Sequence, residues 1–289
     1  MDILNAFIAL ANFVLIPAIS YGSQLALGAL GVTLIYGVLR FSNFAHGDTM
    51  AFGAMCTILV TWLFQSWGIS FGPLPTALLA LPFGILGAIA MLLATDRVIY
   101  KFYREQKAKP VIFLIVSLGV MFVMNGVVRF IIGPDDQRFS DGARFIMKAR
   151  DFKQMTGLSE GLAFKTSQGI TIVTAVVVVA LLFWFLNKTR TGKAMRAVSD
   201  SPDLAHVTGI NVETVIKATW IVGGICATAA GVFLVMDTQT LETTMGFRML
   251  LPMFAAAILG GIGKPYGAVF GGLVIGLAEE LSAYPWIGT

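Results

Sequence analysis

Charge is scarce in this chain: only 12% of its 289 residues are Asp, Glu, Lys or Arg, about half the share of an ordinary soluble domain. No Lys or Arg precedes Arg40, so the start Met1-Asp2-Ile3-Leu4 has no basic lead-in for a cleaved signal peptide, and none is expected. Cys56 and Cys226 stand alone inside apolar runs; two isolated thiols form no metal spacing and read as small buried hydrophobes. The two histidines, His46 and His206, fall on different loops, and neither His-Glu-x-x-His nor Gly-x-Ser-x-Gly occurs, which removes the common constellations of a membrane enzyme. A phosphate-cradling Gly-x-x-x-x-Gly-Lys-Ser/Thr run is missing too, since Gly261-Ile262-Gly263-Lys264 runs into Pro265. Carboxylates within the apolar runs are few, which argues against a gradient-driven secondary transporter or a channel.

What remains is apolar. With 57% hydrophobic residues and a mean hydropathy of +0.82, the chain is expected to be an all-α polytopic membrane protein, a single transmembrane domain over 1–289. Apolar segments at 22–39, 49–67, 74–95, 111–133, 169–186, 218–236, 249–260 and 266–283 predict about eight transmembrane or half-spanning helices. The piece 249–260 is too short to span alone. Residues 3–19, ending near Pro17, form a further span, half-helix or interfacial helix.

Two of the apolar stretches are interrupted, one in each half. The first, Gly22 to Trp67, breaks at Phe41-Ser42-Asn43-Phe44-Ala45-His46-Gly47-Asp48; the second, Met249 to Leu281, breaks at Gly260-Gly261-Ile262-Gly263-Lys264-Pro265. Lipid offers backbone groups no hydrogen bonds, so a break at membrane depth must be enclosed by protein or line a water-filled cavity. Paired breaks in two halves point to a transport route. The path candidates are Asn43, Phe44, His46, Gly47, Asp48, Gly260, Gly261 and Gly263. Asn43, His46 and Asp48 either cap a helix beginning near Thr49 or touch a passing solute.

Basic residues set the orientation. Arg97, Lys101, Arg104, Lys107 and Lys109 crowd the 96–110 loop, and Lys188, Arg190, Lys193, Arg196 and Lys217 the 187–217 stretch. Two spans separate them, so both belong on one side, the cytoplasm by the positive-inside rule. The 134–168 segment then lies outside. It holds six basic residues, including Arg144, against five acidic ones, including Glu160; its length suggests a docking surface or partly ordered flap.

Within 187–217, Gly192 leads Lys193-Ala194-Met195-Arg196-Ala197-Val198. Ser201-Pro202-Asp203 then supplies an N-cap with Pro in the first turn, and Gly209 stands where a helix would end. Two short helices are expected, a knob that a partner could grip or else a well-capped surface loop. Elsewhere, Arg129 is placed to snorkel. Asp237 and Glu242 mark a span boundary or an outer vestibule, with Arg248 an anchor or Glu242's partner. Gly267, Gly271, Gly272 and Gly276 offer close helix packing, and Thr33, Tyr36, Ser117 and Asn125 offer helix-to-helix hydrogen bonds.

Tyr36-Gly37 with Asn43-Phe44-Ala45-His46-Gly47-Asp48, the loop Arg196-Ala197…Asp203…Gly209-Ile210-Asn211, and Ala257-Ile258-Leu259-Gly260-Gly261-Ile262-Gly263 with Gly267-Ala268…Gly271-Gly272 together resemble the Liv-type permeases. These are membrane subunits of ATP-binding cassette (ABC) importers for branched-chain amino acids. The likeness runs in order from about Gly22 to Leu281, and is greater to the subunit of the pair that carries Asn-Phe-Ala-His-Gly. It implies a multi-pass subunit of the bacterial inner membrane. The implied partners are a second related permease, two cytoplasmic ATPase subunits and a periplasmic solute-binding protein, with no nucleic acid. This chain would bind no cofactor and catalyse no bond change, ATP and Mg²⁺ belonging to the ATPases. The coupling loop would use Gly192, Arg196, Asp200, Asp203, Ala205, Gly209 and Ile210, while 134–168 would face the binding protein. Related permeases carry other amino acids, urea, short amides and aromatic acids. Members usually continue past Ala278-Glu279-Glu280-Leu281 through another span; this chain stops at Gly288-Thr289 and is expected to lack that helix.

Overall fold

A computed structural model describes residues 2–72, 74–141, 145–157 and 161–284. Arg144, Glu160 and the final Gly288-Thr289 lie outside the described residues. Helix dominates because a helix satisfies its backbone internally, which lipid requires. The chain opens with α1 (Asp2–Leu10), a π-helical stretch (Ala11–Leu15) and α2 (Ile16–Leu39), followed by α3 (His46–Ser66) and α4 (Ala77–Thr95). A second π-helical stretch (Asp96–Tyr100) leads into α5 (Lys101–Glu105), and α6 (Pro110–Ile132) comes next. After α7 (Ala149–Thr156) and α8 (Thr166–Lys188), two short helices, α9 (Arg190–Asp200) and α10 (Pro202–Val207), precede α11 (Val212–Thr238), α12 (Met245–Leu259) and α13 (Pro265–Ala283). Among the described residues seven helical runs are long and apolar enough to cross a membrane, and α12 is a shorter apolar helix.

The segment expected at 3–19 is not separate. Pro17 falls in the first turn of α2, directly after the π-helical stretch. There the wider turn absorbs its ring and missing N–H, so the helix continues. The resulting 36-residue run Leu4–Leu39 is about 54 Å long, well beyond roughly 30 Å of hydrocarbon, so it must tilt or project.

One end of the bundle gathers α5, the start of α6, the end of α8, α9, α10 and the start of α11; it carries both basic loops and is called here the basic end. At the opposite end, β1 (Gln137–Arg138) pairs antiparallel with β4 (Thr240–Leu241), and β2 (Phe145–Met147) with β3 (Phe164–Lys165). The β1 and β4 ribbon, the Asp141 carboxylate accepting from Ala77 N at 2.7 Å and Asn12 Oδ1 accepting from Ala163 N at 2.9 Å tie the 134–168 segment to the helix ends, and the β2 and β3 ribbon lies within it. Its described parts form a cover held against that end rather than a free loop.

The core lies around α2 and α11, which pack on each other. On α13 the glycine pattern serves internal packing: a Cβ on Gly272 would lie 2.5 Å from the Ala26 backbone of α2, and one on Gly276 equally close to Gly22. Small residues let two backbones meet without a hydrophobic driving force.

Two corners break this helical order inside the bundle. Arg40, left-handed at φ 60°, ends α2; residues 41–45 then run along α6 before α3 starts at His46. Phe41 stacks on Phe113 near the start of α6, Phe44 N donates to Ser117 Oγ at 3.1 Å, and Asp48 accepts from Asn125 Nδ2 at 3.1 Å. From Phe113 to Asn125 is about 18 Å of helix rise, so α3 begins well inside the membrane. The other corner repeats the pattern from the opposite end. Gln239, left-handed at φ 58°, ends α11; residues 240–244 descend, and α12 starts at Met245. The Thr243 carbonyl accepts from the same Asn125 Nδ2 at 2.8 Å. Arg40 and Gln239, His46 and Met245, and Gly47 and Gly246 therefore occupy corresponding places in two inverted units.

The units touch where α3 and α12 begin. A Cβ on Gly47 would overlap the Gly246 carbonyl oxygen, and one on Gly246 would lie 2.8 Å from the Asp48 backbone. Gly47→Ala should therefore lower thermal stability in detergent by about 1–3 kcal/mol, the usual range for overpacking. Gly126→Ala, which meets nothing within 4 Å on α6, should be neutral or slightly stabilising. Equal unfolding temperatures for both variants would show that the two starts are not in contact.

Candidate functional site

The first corner is sealed by side chains that the sequence singles out, in roles that differ from simple caps. The helix begins at His46 rather than near Thr49, with Ala45 at the N-cap making no side-chain cap bond. Asn43 Oδ1 instead accepts from Ala45 N at 3.2 Å and from Tyr100 Oη–H at 3.1 Å. His46 is fully buried and reaches across to α2, where its Nε2 meets the Gly28 carbonyl at 3.1 Å; since the carbonyl can only accept, Nε2 carries the proton. Asp48, 1% exposed, sits in the first turn of α3, where a carboxylate opposes the positive helix start. Asn43, Phe44, His46, Gly47 and Asp48 are thus gathered at one buried crossing, with Phe44's ring 5.5 Å from Phe254 of α12.

The expected break at 260–265 is present between α12 and α13, but Gly260, Gly261 and Gly263 are not at this crossing. They form the turn between α12 and α13 at the basic end, with Gly261 and Gly263 at φ 90° and 86°. Gly263 lies beside Gly37 near the end of α2, and the neighbouring Tyr266 hydroxyl accepts from Asn187 Nδ2 at 2.7 Å. Glycine marked a tight turn here, whereas the deep break at 239–244 contains none. That break sits in a polar stretch that reads as an outer loop.

A linked set of buried groups ties the first corner to the basic end. Tyr100 stacks between Phe41 and Trp220, with ring centroids 5.4 and 5.3 Å away. Trp220 Nε1 donates to Asp96 Oδ1 at 2.8 Å, and Arg104 grips the same carboxylate through two nitrogens at 2.5 and 3.2 Å while also reaching Glu213 at 3.4 Å. Sequence reasoning passed over Asp96, Tyr100 and Trp220. The only available signal was a carboxylate at the end of an apolar run, four residues before a tyrosine.

The 187–217 stretch folds as α9 and α10. Thr189, not Gly192, opens α9, its Oγ1 accepting from Gly192 N at 3.0 Å. Gly192 is buried against the α8 backbone, while Arg196, Asp200 and Asp203 are exposed. Ser201 occupies the N-cap of α10 without a side-chain cap bond. Gly209 takes φ 84° just past Thr208, and Ile210 N closes the unit onto the Ala205 carbonyl at 3.1 Å. Ala205 points inward; the apolar residues offered to solvent on α10 are Leu204 and Val207, 64% and 83% exposed, which the sequence did not single out. The Arg40 guanidinium donates to the Ser199 carbonyl, joining α9 directly to the base of the first corner.

At the opposite end a cavity of about 340 Å³ opens above α12, floored by Met245 and Met249 and edged by Tyr21, Asp237, Glu242 and Arg248. Asp237 and Glu242 both line it, and Arg248 is Glu242's ion-pair partner. Glu279 and Glu280 of α13 also line it. Its size suits a small solute, and it ends against the second corner.

A helical bundle with inverted units, helices starting at half depth and a cavity leading to one of them is a permease. The chain belongs to the family described as branched-chain amino acid transport system / permease component, whose model matches residues 14–286. It is a multi-pass permease subunit of an ABC importer. The high-affinity branched-chain amino acid transport system permease protein LivH of Escherichia coli K12 is 30% identical over 273 residues, covering 92% of this chain and 83% of that one. The probable branched-chain amino acid transport permease protein LivH of Methanocaldococcus jannaschii is 31% identical, covering 94% and 81%. The permease BraD of Pseudomonas aeruginosa is 29% identical, covering 93% and 85%. No solved structure matches.

Asp96→Ala should destabilise the protein by about 3 kcal/mol, the lower end for removing one member of a buried pair, because Arg104 keeps Glu213. Thermal unfolding of Asp96→Ala, Arg104→Ala and the double variant should show strong non-additivity; additive losses would mean that the pair is not coupled.

Proposed function

We propose that the chain imports branched-chain amino acids across the bacterial inner membrane, paired with a second, related permease. In this reading the basic end is cytoplasmic. Two ATPase subunits there bind and hydrolyse ATP with Mg²⁺, which fits a chain without a phosphate-cradling loop. A periplasmic solute-binding protein docks over the 134–168 cover and releases its cargo into the cavity at that end. The substrate class rests on the family and on the names its relatives carry; LivH of Escherichia coli is one such relative.

The observation that carries the mechanism is the knob and its tether. Leu204 and Val207 offer an apolar tip to an ATPase groove, and Arg196, Asp200 and Asp203 frame it with charge. When the ATPases close, the push on α10 passes through α9 to the Ser199 carbonyl and Arg40. The first corner then moves against α12 at the Gly47 and Gly246 contact, switching access between the two ends. Asn43, Phe44, His46, Gly47 and Asp48 act by shaping that moving corner.

Reconstitution in lipid with candidate ATPases and binding protein tests this. Leucine-loaded binding protein should stimulate ATP hydrolysis. Leu204→Asp with Val207→Asp should abolish the stimulation, and Arg40→Ala should keep hydrolysis while cutting leucine uptake at least tenfold. Stimulation by urea or a short amide but not leucine would overturn the substrate. Failure of any ATPase to associate would overturn the coupled mechanism.

A further inference from the structure

A second cavity lies between α8 and α11, toward the half of each helix nearer the basic end. It has a volume of about 430 Å³ and an almost wholly apolar lining that includes Val178, Leu181 and Phe185 of α8 and Ala218, Ile221 and Ile225 of α11. The α8 lip is bare: Val177, Leu181 and Trp184 are 48%, 59% and 60% exposed. From Val178 to Phe185 the groove runs about 10 Å along α8, in the direction an acyl chain takes from the membrane surface toward its middle.

Helical spacing places a lysine at the basic end of each wall. On α8, Lys188 follows Phe185 by three positions; on α11, Lys217 precedes Ile221 by four. Both therefore continue the stripes that line the groove, and both are exposed. Thr191, the polar member of the lining, is in the first turn of α9. Glu213, one turn before Lys217, is engaged by Arg104 at 3.4 Å. None of the ion pairs among the described residues involves Lys188, Lys217, Arg190 or Lys193.

We infer that this groove is a binding site for one anionic phospholipid of the leaflet at the basic end, its acyl chain between α8 and α11 and its phosphate at Lys188 and Lys217. An apolar slot alone would accept any lipid or a neighbouring helix. The two lysines at the ends of its walls, neither of them in an ion pair, select a negatively charged headgroup, since a basic residue near an anionic membrane surface favours it substantially. The site lies at the root of α9 and α10, because those helices connect the two walls.

Native mass spectrometry of the full chain in mild detergent, titrated with phosphatidylglycerol or with phosphatidylcholine of identical chains, tests the site without any transport assay. Wild type should retain phosphatidylglycerol about tenfold to thirtyfold more tightly, the scale expected from two lysines. Lys188→Gln with Lys217→Gln should bring the ratio to within about threefold without changing the unfolding temperature. Ala218→Trp should displace both lipids by filling the slot. Equal retention of the two lipids, or a preference untouched by the lysine variant, overturns the proposal. So does benzoylphenylalanine at Leu181 if, after irradiation of intact membranes, it labels a protein rather than a lipid.

Discussion

Lipid cannot hydrogen-bond a backbone, and most of this structure follows from how two non-helical corners are enclosed at membrane depth. Each corner leaves a long helix through a left-handed residue, crosses part of the membrane in non-helical form and starts a new helix inside. A single side chain, Asn125, serves both, donating to Asp48 on one and to the Thr243 carbonyl on the other. Gly47 and Gly246 let the two helix starts approach until their backbones touch. Without that approach Asn125 could not bridge them, and the freed backbone groups would face hydrocarbon.

Movement is then constrained in a useful way. The first corner is held from the basic end by the Tyr100 stack and by Arg40 on the α9 carbonyl; the second is held from the opposite end by the β1 and β4 ribbon and by Asp136 on Thr243 N. Each end of the molecule thus has its own grip on one corner, and the corners share one contact. In the proposed mechanism a displacement of α9 would reach the cavity above α12 through these contacts.

The sequence disclosed the helices well because spans of this hydropathy have few alternatives. It disclosed the first corner because Asn43, His46 and Asp48 interrupt an otherwise apolar run. The break at 260–265 was legible as a break but its depth was not, and the second corner gave no signal: glycine marks a turn wherever it falls, at the surface or at depth. Gln239 to Thr244 looked like an outer loop because nothing local records that Thr243 bonds to the middle of α6. Asp96 was hidden similarly, since its partners Arg104 and Trp220 come from a later turn and a distant helix. In the knob, glycine and proline positions were readable, but which face is buried depends on α8, so Ala205 was chosen where Leu204 and Val207 are exposed. Pro17 looked like a terminus because the preceding π-helical stretch, which lets the helix pass it, has no sequence signature of its own.

The most direct test of the crossing is a cross-link between Phe44→Cys and Phe254→Cys in a background with Cys56→Ala and Cys226→Ala, using a short bifunctional maleimide in intact membranes. The account predicts rapid intramolecular cross-linking, because the two rings lie 5.5 Å apart between the first corner and α12. It also predicts that neither cysteine alone reacts quickly with a membrane-impermeant maleimide. No cross-link, with position 44 freely labelled from the aqueous phase, would place residues 41–45 in a surface loop and contradict the account.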